Sequence, residues 1–303
     1  MSATTYGDEA RPRVGFFTDT SVCIGCKACE VACKEWNLVP DDGLEWTGHS
    51  YDNTGELSAN SWRHVTFVEQ AKPMRIDGET AAVDALEGDH LAQGSAAPLR
   101  WLMESDVCKH CTHAGCLDAC PTGALFRTEF GTVVVQEDVC NGCGYCVPAC
   151  PFGVIDKRHL PRSPEDAPLA LPLLGRKEDG RVWKCTLCYD RLKDGHEPAC
   201  AKACPTDSIQ FGELDELRER ADKRLAKLEA EGWNGPRLYG RDPDDGVGGF
   251  GAFFLLLDEP EVYGLPPDPV APTRHLPRLW RSTALAAAAV LVGVAAAFVG
   301  GAE

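Results

Sequence analysis

The sequence has too few basic residues for a typical nucleic-acid-binding protein. It carries 30 Lys and Arg against 46 Asp and Glu, which gives a formal net charge of −16 at pH 7. A protein that binds nucleic acid through its phosphates shows a basic patch or stripe. We therefore expect no nucleic-acid partner.

The chain also lacks the common signatures of a nucleotide-binding or hydrolytic enzyme. No G-x-G-x-x-G motif is expected between a strand and a helix, and no G-x-x-x-x-G-K-[ST] motif or nucleophile constellation stands out. Residues Met1 to Arg13 contain no apolar segment of the kind a secretory signal has, so any export must depend on a partner. These absences predict a chain without a catalytic centre of its own.

Cysteine, in contrast, is abundant: sixteen residues lie in four runs, with none left over. Four [4Fe–4S] clusters with four thiolate ligands each would use all sixteen. The third run, Cys140 to Cys150 followed by Pro151, has the ferredoxin spacing C-x2-C-x2-C-x3-C-P, in which the fourth cysteine ligates the neighbouring cluster. The first run has the same spacing without the proline, and the other two lengthen the middle gaps but keep the Cys-x3-Cys-Pro end.

Two other uses of cysteine fit this pattern less well. Structural zinc sites take four ligands from paired C-x2-C knuckles, which leaves the recurring Cys-x3-Cys-Pro ends unexplained. Disulfide-rich domains are small and short of core, whereas this chain has 303 residues, of which 44% are hydrophobic. A zinc-stabilised scaffold is the alternative from another class of protein.

Chain order predicts which runs share clusters. A β-rich segment, Phe126–Val135 with a turn at Gly131, joins the second run to the third, as in a compact two-cluster ferredoxin. These two runs give one cluster held by Cys108, Cys111, Cys116 and Cys150 and another held by Cys120, Cys140, Cys143 and Cys146. By elimination and pseudo-repeat symmetry, the remaining runs give Cys23, Cys26, Cys29 and Cys204, and Cys33, Cys185, Cys188 and Cys200.

The motifs around these runs resemble the four-cluster iron–sulfur subunits of membrane-bound molybdenum or tungsten oxidoreductases. The resemblance spans almost the whole chain and is carried by Lys109–Pro121, Cys140–Phe152 and Lys184–Thr206. Within that group, Leu257–Pro266 and the apolar C-terminus look most like the beta subunit of respiratory formate dehydrogenase. Subunits that serve dimethyl sulfoxide, polysulfide and nitrite systems share the cysteine runs. The equivalent subunit of another molybdopterin oxidoreductase or of a hydrogenase is therefore the alternative.

The resemblance implies a function and two protein partners. The chain would pass electrons from a formate-oxidising Mo or W catalytic alpha subunit, through four [4Fe–4S] clusters, to a membrane gamma subunit. That gamma subunit would be a cytochrome b or a related quinone-reducing protein. The cluster of Cys23, Cys26, Cys29 and Cys204 would lie nearest the catalytic subunit.

The expected fold class is α+β, with two interleaved ferredoxin-like two-cluster domains and a C-terminal transmembrane helix. We expect residues 1–107 to form the N-terminal part of the first domain, with an insertion, and residues 161–270 to complete it and add a docking segment. Residues 108–160 form the second domain, and residues 271–303 form the membrane anchor.

The anchor prediction rests on Thr283–Ala302, twenty uncharged residues, about the number that crosses a hydrocarbon core of roughly 30 Å as a helix. We expect this helix to contact membrane lipid and to pack on a partner's helices through its small residues. A buried helix of a soluble protein is the alternative. The flanking Arg274, Arg278 and Arg281 place the main domain on the cytoplasmic face, whereas the family resemblance places it on the outer face.

Outside the cysteine runs, the sequence predicts packing elements and surface segments. Apolar residues at helical spacing predict a helix that ends before Gly232; they are Leu214, Leu217, Ala221, Leu225 and Leu228. Pro161–Pro172 and Asp242–Gly249 are predicted surface loops. Trp46–Arg100 is expected either to pack on a partner subunit or to be a surface excursion.

Several cations and two histidines lie close to the runs. The cations are Lys27, Lys109, Lys157, Lys184 and Arg191. Each is expected to be an ordinary surface residue, with electrostatic tuning of a cluster as the alternative. His110 and His113 are expected to form hydrogen bonds rather than to ligate metal, because the thiolates already fill the sites.

Overall fold

The computed structural model describes residues 12–41, 48, 51–52, 54–71, 99–158 and 180–300. All sixteen cysteines lie within these ranges. Four sequence predictions fall wholly or partly outside the described residues. They concern the start of the chain, the middle of the insertion, the loop at 161–172 and the last residues of the expected span.

Ten strands and six α-helices are found in the described ranges. The strands are β1 (Val14–Asp19), β2 (Arg63–Ala71), β3 (Leu99–Val107), β4 (Leu125–Arg127), β5 (Val133–Val135), β6 (Asp156–Lys157), β7 (Val182–Trp183), β8 (Ile209–Glu213), β9 (Arg237–Tyr239) and β10 (Ala252–Leu256). The helices are α1 (Ala28–Asn37), α2 (Gly115–Asp118), α3 (Tyr189–Lys193), α4 (Ala199–Lys202), α5 (Leu214–Ala230) and α6 (Leu276–Gly300).

The largest sheet has the strand order β8–β1–β10–β9. β1 and β10 pair in parallel, with Phe16 opposite Ala252, and the two outer pairs are antiparallel. Every residue of β10 and all but the first of β1 are buried, as expected for central strands covered on both faces. One sheet therefore joins the beginning of the chain to residues 209–256.

Helix α5 packs against this sheet. Its buried residues, Leu214, Leu217, Ala221 and Leu228, recur at the spacing of one helix face. Leu225 lies partly buried beside them. The helix ends at Ala230, two residues before Gly232, so the predicted helix and its end are both confirmed.

Strands β2 and β3 pair antiparallel and lie in the core rather than on the surface. Their register sets Arg63 opposite Val107 and Ala71 opposite Leu99. Trp62, Val65 and Leu102 are buried in the main hydrophobic cluster. For these described parts of Trp46–Arg100, the expectation of a surface excursion is wrong, because Trp62, just before β2, and Val65, near its beginning, are buried.

The second and third cysteine runs are joined by small elements. β4 and β5 pair antiparallel, and the turn between them contains Gly131 at φ +77°, as the sequence predicts. β6 pairs with β7 and ties residues 156–157 to the start of the fourth run. The buried residues of this region form a second, smaller hydrophobic cluster that includes Leu125, Val133 and Ile155.

The predicted surface loop Asp242–Gly249 is exposed only in its first half. Asp242, Pro243 and Asp244 are exposed, whereas Val247 and the two glycines after it are buried. The backbone amide of His113 donates to the Val247 carbonyl at 2.7 Å, which fixes the loop against the second cysteine run. The string Gly246–Gly251 matches G-x-G-x-x-G but connects β9 to β10, so it does not begin a helix as a dinucleotide-binding turn does.

Helix α6 is long and apolar enough to cross a membrane over Arg278–Ala297, and none of that window is buried in the structure. This window begins five residues before the predicted Thr283. Just ahead of the helix, Thr273 donates to Asp118 at 2.6 Å and the amide of Ala271 donates to the Gly246 carbonyl at 3.1 Å. The start of the helix is thus tied to the region of the second cysteine run.

Candidate metal centres

The structure gathers the sixteen thiols into four groups of four. Site 1 is Cys23, Cys26, Cys29 and Cys204, which line one cavity. Site 2 is Cys33, Cys185, Cys188 and Cys200, whose thiols interact electrostatically. Site 3 is Cys108, Cys111, Cys116 and Cys150, which line a second cavity. Site 4 is Cys120, Cys140, Cys143 and Cys146, again linked by electrostatic interaction. The sequence predicts these four sets as the ligands of four clusters, and that assignment stays a prediction.

Two of the four sites, 1 and 3, line cavities. The site 1 cavity encloses about 300 Å³ and the site 3 cavity about 350 Å³, counting space open to solvent. Within the described ranges, no three His, Cys, Asp or Glu side chains converge closely enough to hold a single metal ion. The thiols of sites 1 and 3 instead stand around a space between them, which suits a polynuclear group with thiolate ligands.

The backbone of the cysteine runs curls because some residues adopt left-handed conformations. Gly142 has φ +72°, and a Cβ there would clash with the Gly180 carbonyl. Cys188 itself has φ +49°, a conformation that is uncommon for residues other than glycine. Such a curl also turns amides toward sulfur, as in the hydrogen bond that the Leu187 amide donates to Cys185 Sγ at 3.3 Å.

The surroundings of the thiols disfavour free thiolates. Burial raises the pKa of Cys23 to about 11 and that of Cys116 to about 12. Burial, with the neighbouring thiols of its own group, also raises the pKa of Cys33 well above its ordinary value. Because a metal ligand must be a deprotonated thiolate, bound iron would supply the positive charge that these sites otherwise lack. The donor set therefore fits an iron–sulfur cluster in each group.

Each site lies next to the following one. The thiol of Cys29 in site 1 interacts with that of Cys200 in site 2. Cys185 in site 2 interacts with Cys108 in site 3. Cys116 in site 3 interacts with Cys146 in site 4. These electrostatic interactions place the four sites in the order 1, 2, 3, 4.

The two ends of this row reach the surface, site 2 is buried, and three thiols of site 3 are partly exposed. Cys26 in site 1 and Cys143 in site 4 are exposed, whereas all four cysteines of site 2 are buried. At the first end, Tyr51 and Trp101 are exposed and their rings contact edge to face at 5.2 Å. At the other end, Val139 and Tyr145 are exposed.

Three of the five cations expected at the surface are buried. Lys109, Lys184 and Arg191 are between 0% and 8% exposed. The expectation was wrong for these three because each finds a polar partner inside the protein: Lys109 pairs with Asp106, and Arg191 Nε donates to the Glu197 carbonyl. Lys184 Nζ donates to the carbonyls of Val133 and Cys185. A fourth buried cation, Arg63, lies in the insertion far from any run in sequence, and nothing in the motifs pointed to it.

His110 forms a hydrogen bond, as predicted. Its Nδ1 accepts from the Val133 amide at 3.1 Å. Burial, together with the nearby Lys184 and Arg13, holds the pKa of His110 well below its usual value, so the ring is neutral near pH 7. The ring of His113 lies against Gly248, where an added Cβ would clash with it.

Serine substitutions test the groupings. Replacing Cys120 and Cys143 one at a time should perturb the same electron paramagnetic resonance (EPR) signal, because both thiols belong to site 4. Replacing Cys150 serves as the matched control, since it follows Cys143 in the same run but lies in site 3. Its substitution should perturb a different signal. If Cys120 and Cys143 affect separate clusters, the assignment of site 4 is wrong.

Comparison with known proteins gives matches along most of the chain. Three models of 4Fe–4S dicluster domains match residues 99–166, 139–209 and 22–124. The iron–sulfur subunit of the nitrate-inducible formate dehydrogenase of Escherichia coli (strain K12) is 39% identical over 268 residues, which cover 86% of this chain and 75% of the relative. The formate dehydrogenase iron–sulfur subunit of Haemophilus influenzae is 38% identical over 279 residues, covering 91% and 75%. A subunit of the anaerobic dimethyl sulfoxide reductase of E. coli is 32% identical over 207 residues, covering 68% and 76%.

Proposed function

The chain belongs to the family of formate dehydrogenase iron–sulfur subunits, and we propose that it passes electrons from a formate-oxidising catalytic subunit to a quinone-reducing subunit in the membrane. Its role is electron transfer. The observation that carries the proposal is the row of four adjacent thiol groups, with site 2 buried and both ends exposed. Such a row lets electrons enter at one end and leave at the other, and it keeps solvent from site 2.

Four [4Fe–4S] clusters are the proposed cofactors, one in each of sites 1 to 4. When bound, these clusters supply one-electron redox chemistry, with potentials set by hydrogen bonds, nearby charge and solvent exposure. The chain's own contribution is to hold sixteen thiolates in four groups, to bury site 2, and to place backbone and side-chain donors near the sulfurs. The Leu187 amide at Cys185 and the Ser105 hydroxyl, 3.1 Å from Cys29 Sγ, are two such donors.

The catalytic subunit, carrying Mo or W, is proposed to dock beside site 1. Exposed apolar side chains surround this end of the row: Ile24 stands next to Cys23 in the first run, and Val31 lies on the outer face of α1. Tyr51 and Trp101 add an aromatic pair. Depletion of charge and enrichment of aromatic residues are typical of the core of a protein interface.

The membrane subunit is proposed to receive electrons from the other end of the row. The segment that leads into α6 packs on site 3, since an added Cβ on Gly115 would meet both Pro272 and the Ala149 carbonyl. Gly115 and Ala149 each precede a cysteine of site 3. A helix that enters the membrane from this position brings sites 3 and 4 toward the bilayer, where the partner would be a cytochrome b or a related protein.

The finer architecture is also a proposal. We assign residues 1–107 and 161–270 to one ferredoxin-like domain and residues 108–160 to a second, inserted one, with residues 271–303 as the anchor. The pairing of β1 with β8 and β10 supports this, because it joins the two ends of the first domain in one sheet. We propose that the chain has no catalytic centre of its own and that its main domain lies on the outer face of the membrane.

A second candidate is the same electron-transfer role in a dimethyl sulfoxide reductase, because a subunit of that enzyme is also similar to this chain. The formate assignment is favoured by coverage, since the formate dehydrogenase relatives match 86% and 91% of this chain against 68% for that relative. The dicluster models support iron–sulfur chemistry over a zinc-stabilised scaffold.

Adding formate to membranes that contain the assembled complex tests the function. We expect the EPR signals of reduced clusters to appear on formate addition under anaerobic conditions. Addition of hydrogen is the matched control, and it should leave the clusters oxidised. If hydrogen reduces the clusters and formate does not, electron transfer stands and the formate assignment fails.

A further inference from the structure

Arg63 is a fully buried cation located between two of the thiol groups. The residue is 2% exposed, at the start of β2. The thiols of Cys29 in site 1 and of Cys33, Cys185 and Cys200 in site 2 lie close enough to interact with it electrostatically.

The hydrogen bonds of Arg63 account for only part of its donors. Nη1 donates to the Ser105 carbonyl at 3.1 Å and to the Ser105 hydroxyl at 2.9 Å. That hydroxyl lies 3.1 Å from Cys29 Sγ and connects the guanidinium to site 1. Nε and Nη2 are buried and find no hydrogen-bond partner in the part of the chain that the structure describes. Two donors of a buried arginine are thus available to a group in the adjoining sites.

Two other buried cations of this chain have a carboxylate partner. Arg100 pairs with Asp258, and Lys109 pairs with Asp106. Among the described residues, Arg63 has no such ion pair. Glu104 is close enough to interact with it, but among the described residues neither carboxyl oxygen of Glu104 has a hydrogen-bond partner, and burial raises the pKa of that carboxyl well above its ordinary value.

A buried charge without a counter-charge is strongly destabilising. The ring of Phe16, 5.0 Å from the guanidinium, makes a cation–π contact, but such a contact is weaker than the cost of burying an ion. The remaining source of negative charge is the sulfur of sites 1 and 2 with their clusters bound. The negative charge of both sites together therefore explains why Arg63 can be buried at this position.

We propose that Arg63 is shared by the clusters of sites 1 and 2 and raises the reduction potentials of both. The inference rests on the proposed function, since it requires those clusters. Reduction adds one negative charge to a cluster, and a nearby cation in a low-dielectric interior stabilises the reduced state more than the oxidised state. One side chain thereby makes both members of the first pair in the row easier to reduce.

Potentiometric titration of the complex, followed by EPR, tests the proposal. Arg63→Met removes the charge and keeps much of the apolar volume. We expect the reduction equilibria of two of the four clusters to shift at least tenfold toward the oxidised state, which is about 59 mV for one electron. Arg63→Lys keeps the charge and should shift the same equilibria by less than threefold.

Two further variants are matched controls. Ser105→Ala removes a hydroxyl that lies against Cys29 of site 1 and accepts from Arg63 Nη1. Because this hydroxyl lies against a thiol of site 1, its loss should lower the potential of that cluster most and thereby identify the site 1 signal. Lys27→Gln removes a cation between Cys26 and Cys29 that is partly exposed and already paired with Glu30 and Asp52. Its effect should stay below threefold.

Unchanged potentials in Arg63→Met with all clusters present would overturn the proposal, and so would a shift of only one cluster. If unaltered protein holds no clusters, both this inference and the proposed function fail. If Arg63→Met alone does not assemble, pulsed EPR on unaltered complex containing ¹⁵N-arginine decides. A ¹⁵N coupling at the site 1 signal that disappears in Arg63→Lys is expected, and absence of that coupling contradicts the proposal.

Discussion

Replacing Cys26 by serine is expected to abolish formate-dependent quinone reduction by the complex while sparing formate oxidation with an artificial dye. Cys26 is an exposed thiol of site 1, the end of the row at which the catalytic subunit is proposed to dock. Without a full set of thiolates, site 1 cannot hold its cluster, and the row loses its first member. The dye accepts electrons directly from the catalytic subunit, so that reaction does not need site 1.

Both activities should be measured on the same membrane preparation. We expect quinone reduction to fall to the background of membranes without the complex and dye reduction to stay within twofold of the unaltered protein. Glu229→Gln is the control variant because Glu229 is exposed on α5, away from the cysteines. Quinone reduction that persists in Cys26→Ser would show that electrons enter the chain elsewhere.

Removal of iron is expected to unfold the region around sites 3 and 4. This region is built from elements too short to be stable by themselves: α2 has 4 residues, β4 and β5 have 3 each, and β6 has 2. Isolated helices of this length do not persist in water, and a lone two-stranded hairpin is marginal. Bound metal therefore contributes folding free energy to this part of the chain.

Hydrogen exchange followed by mass spectrometry measures this effect. After chelation under reducing conditions, amides of residues 108–158 should exchange nearly as fast as in an unfolded chain. Amides of β1 and β10, which are buried in the main apolar core, should keep more of their protection. Reconstitution with iron and sulfide should restore the slow exchange. An apoprotein that protects residues 108–158 as well as the loaded protein does would contradict this account.

Cysteine spacing is informative about the groupings because a cluster imposes its own geometry on the chain. The connection through Phe126–Val135 predicts the ligands of sites 3 and 4, and elimination with pseudo-repeat symmetry predicts those of sites 1 and 2. Helix α5 was predictable for another reason, since its apolar residues recur at the period of a helix face that packs on a sheet. The remaining steps, from thiol groups to bound clusters, stay predictions.

The burial of charged side chains could not be predicted from the sequence. Lys109 and Lys184 are charged residues, and local composition places such residues at the surface. Arg63 is harder still, because it lies in the insertion, far along the chain from Cys29. The pairing of β2 with β3 carries it to Ser105 and so to Cys29. Only the tertiary fold reveals that it faces two thiol groups at once.

Metal and sulfide analysis of anaerobically purified protein tests the central claim most directly. Four sites with one [4Fe–4S] cluster each predict about sixteen iron and about sixteen acid-labile sulfide per chain. Stoichiometric zinc with little iron and no labile sulfide would contradict the assignment of this chain as an electron-transfer subunit.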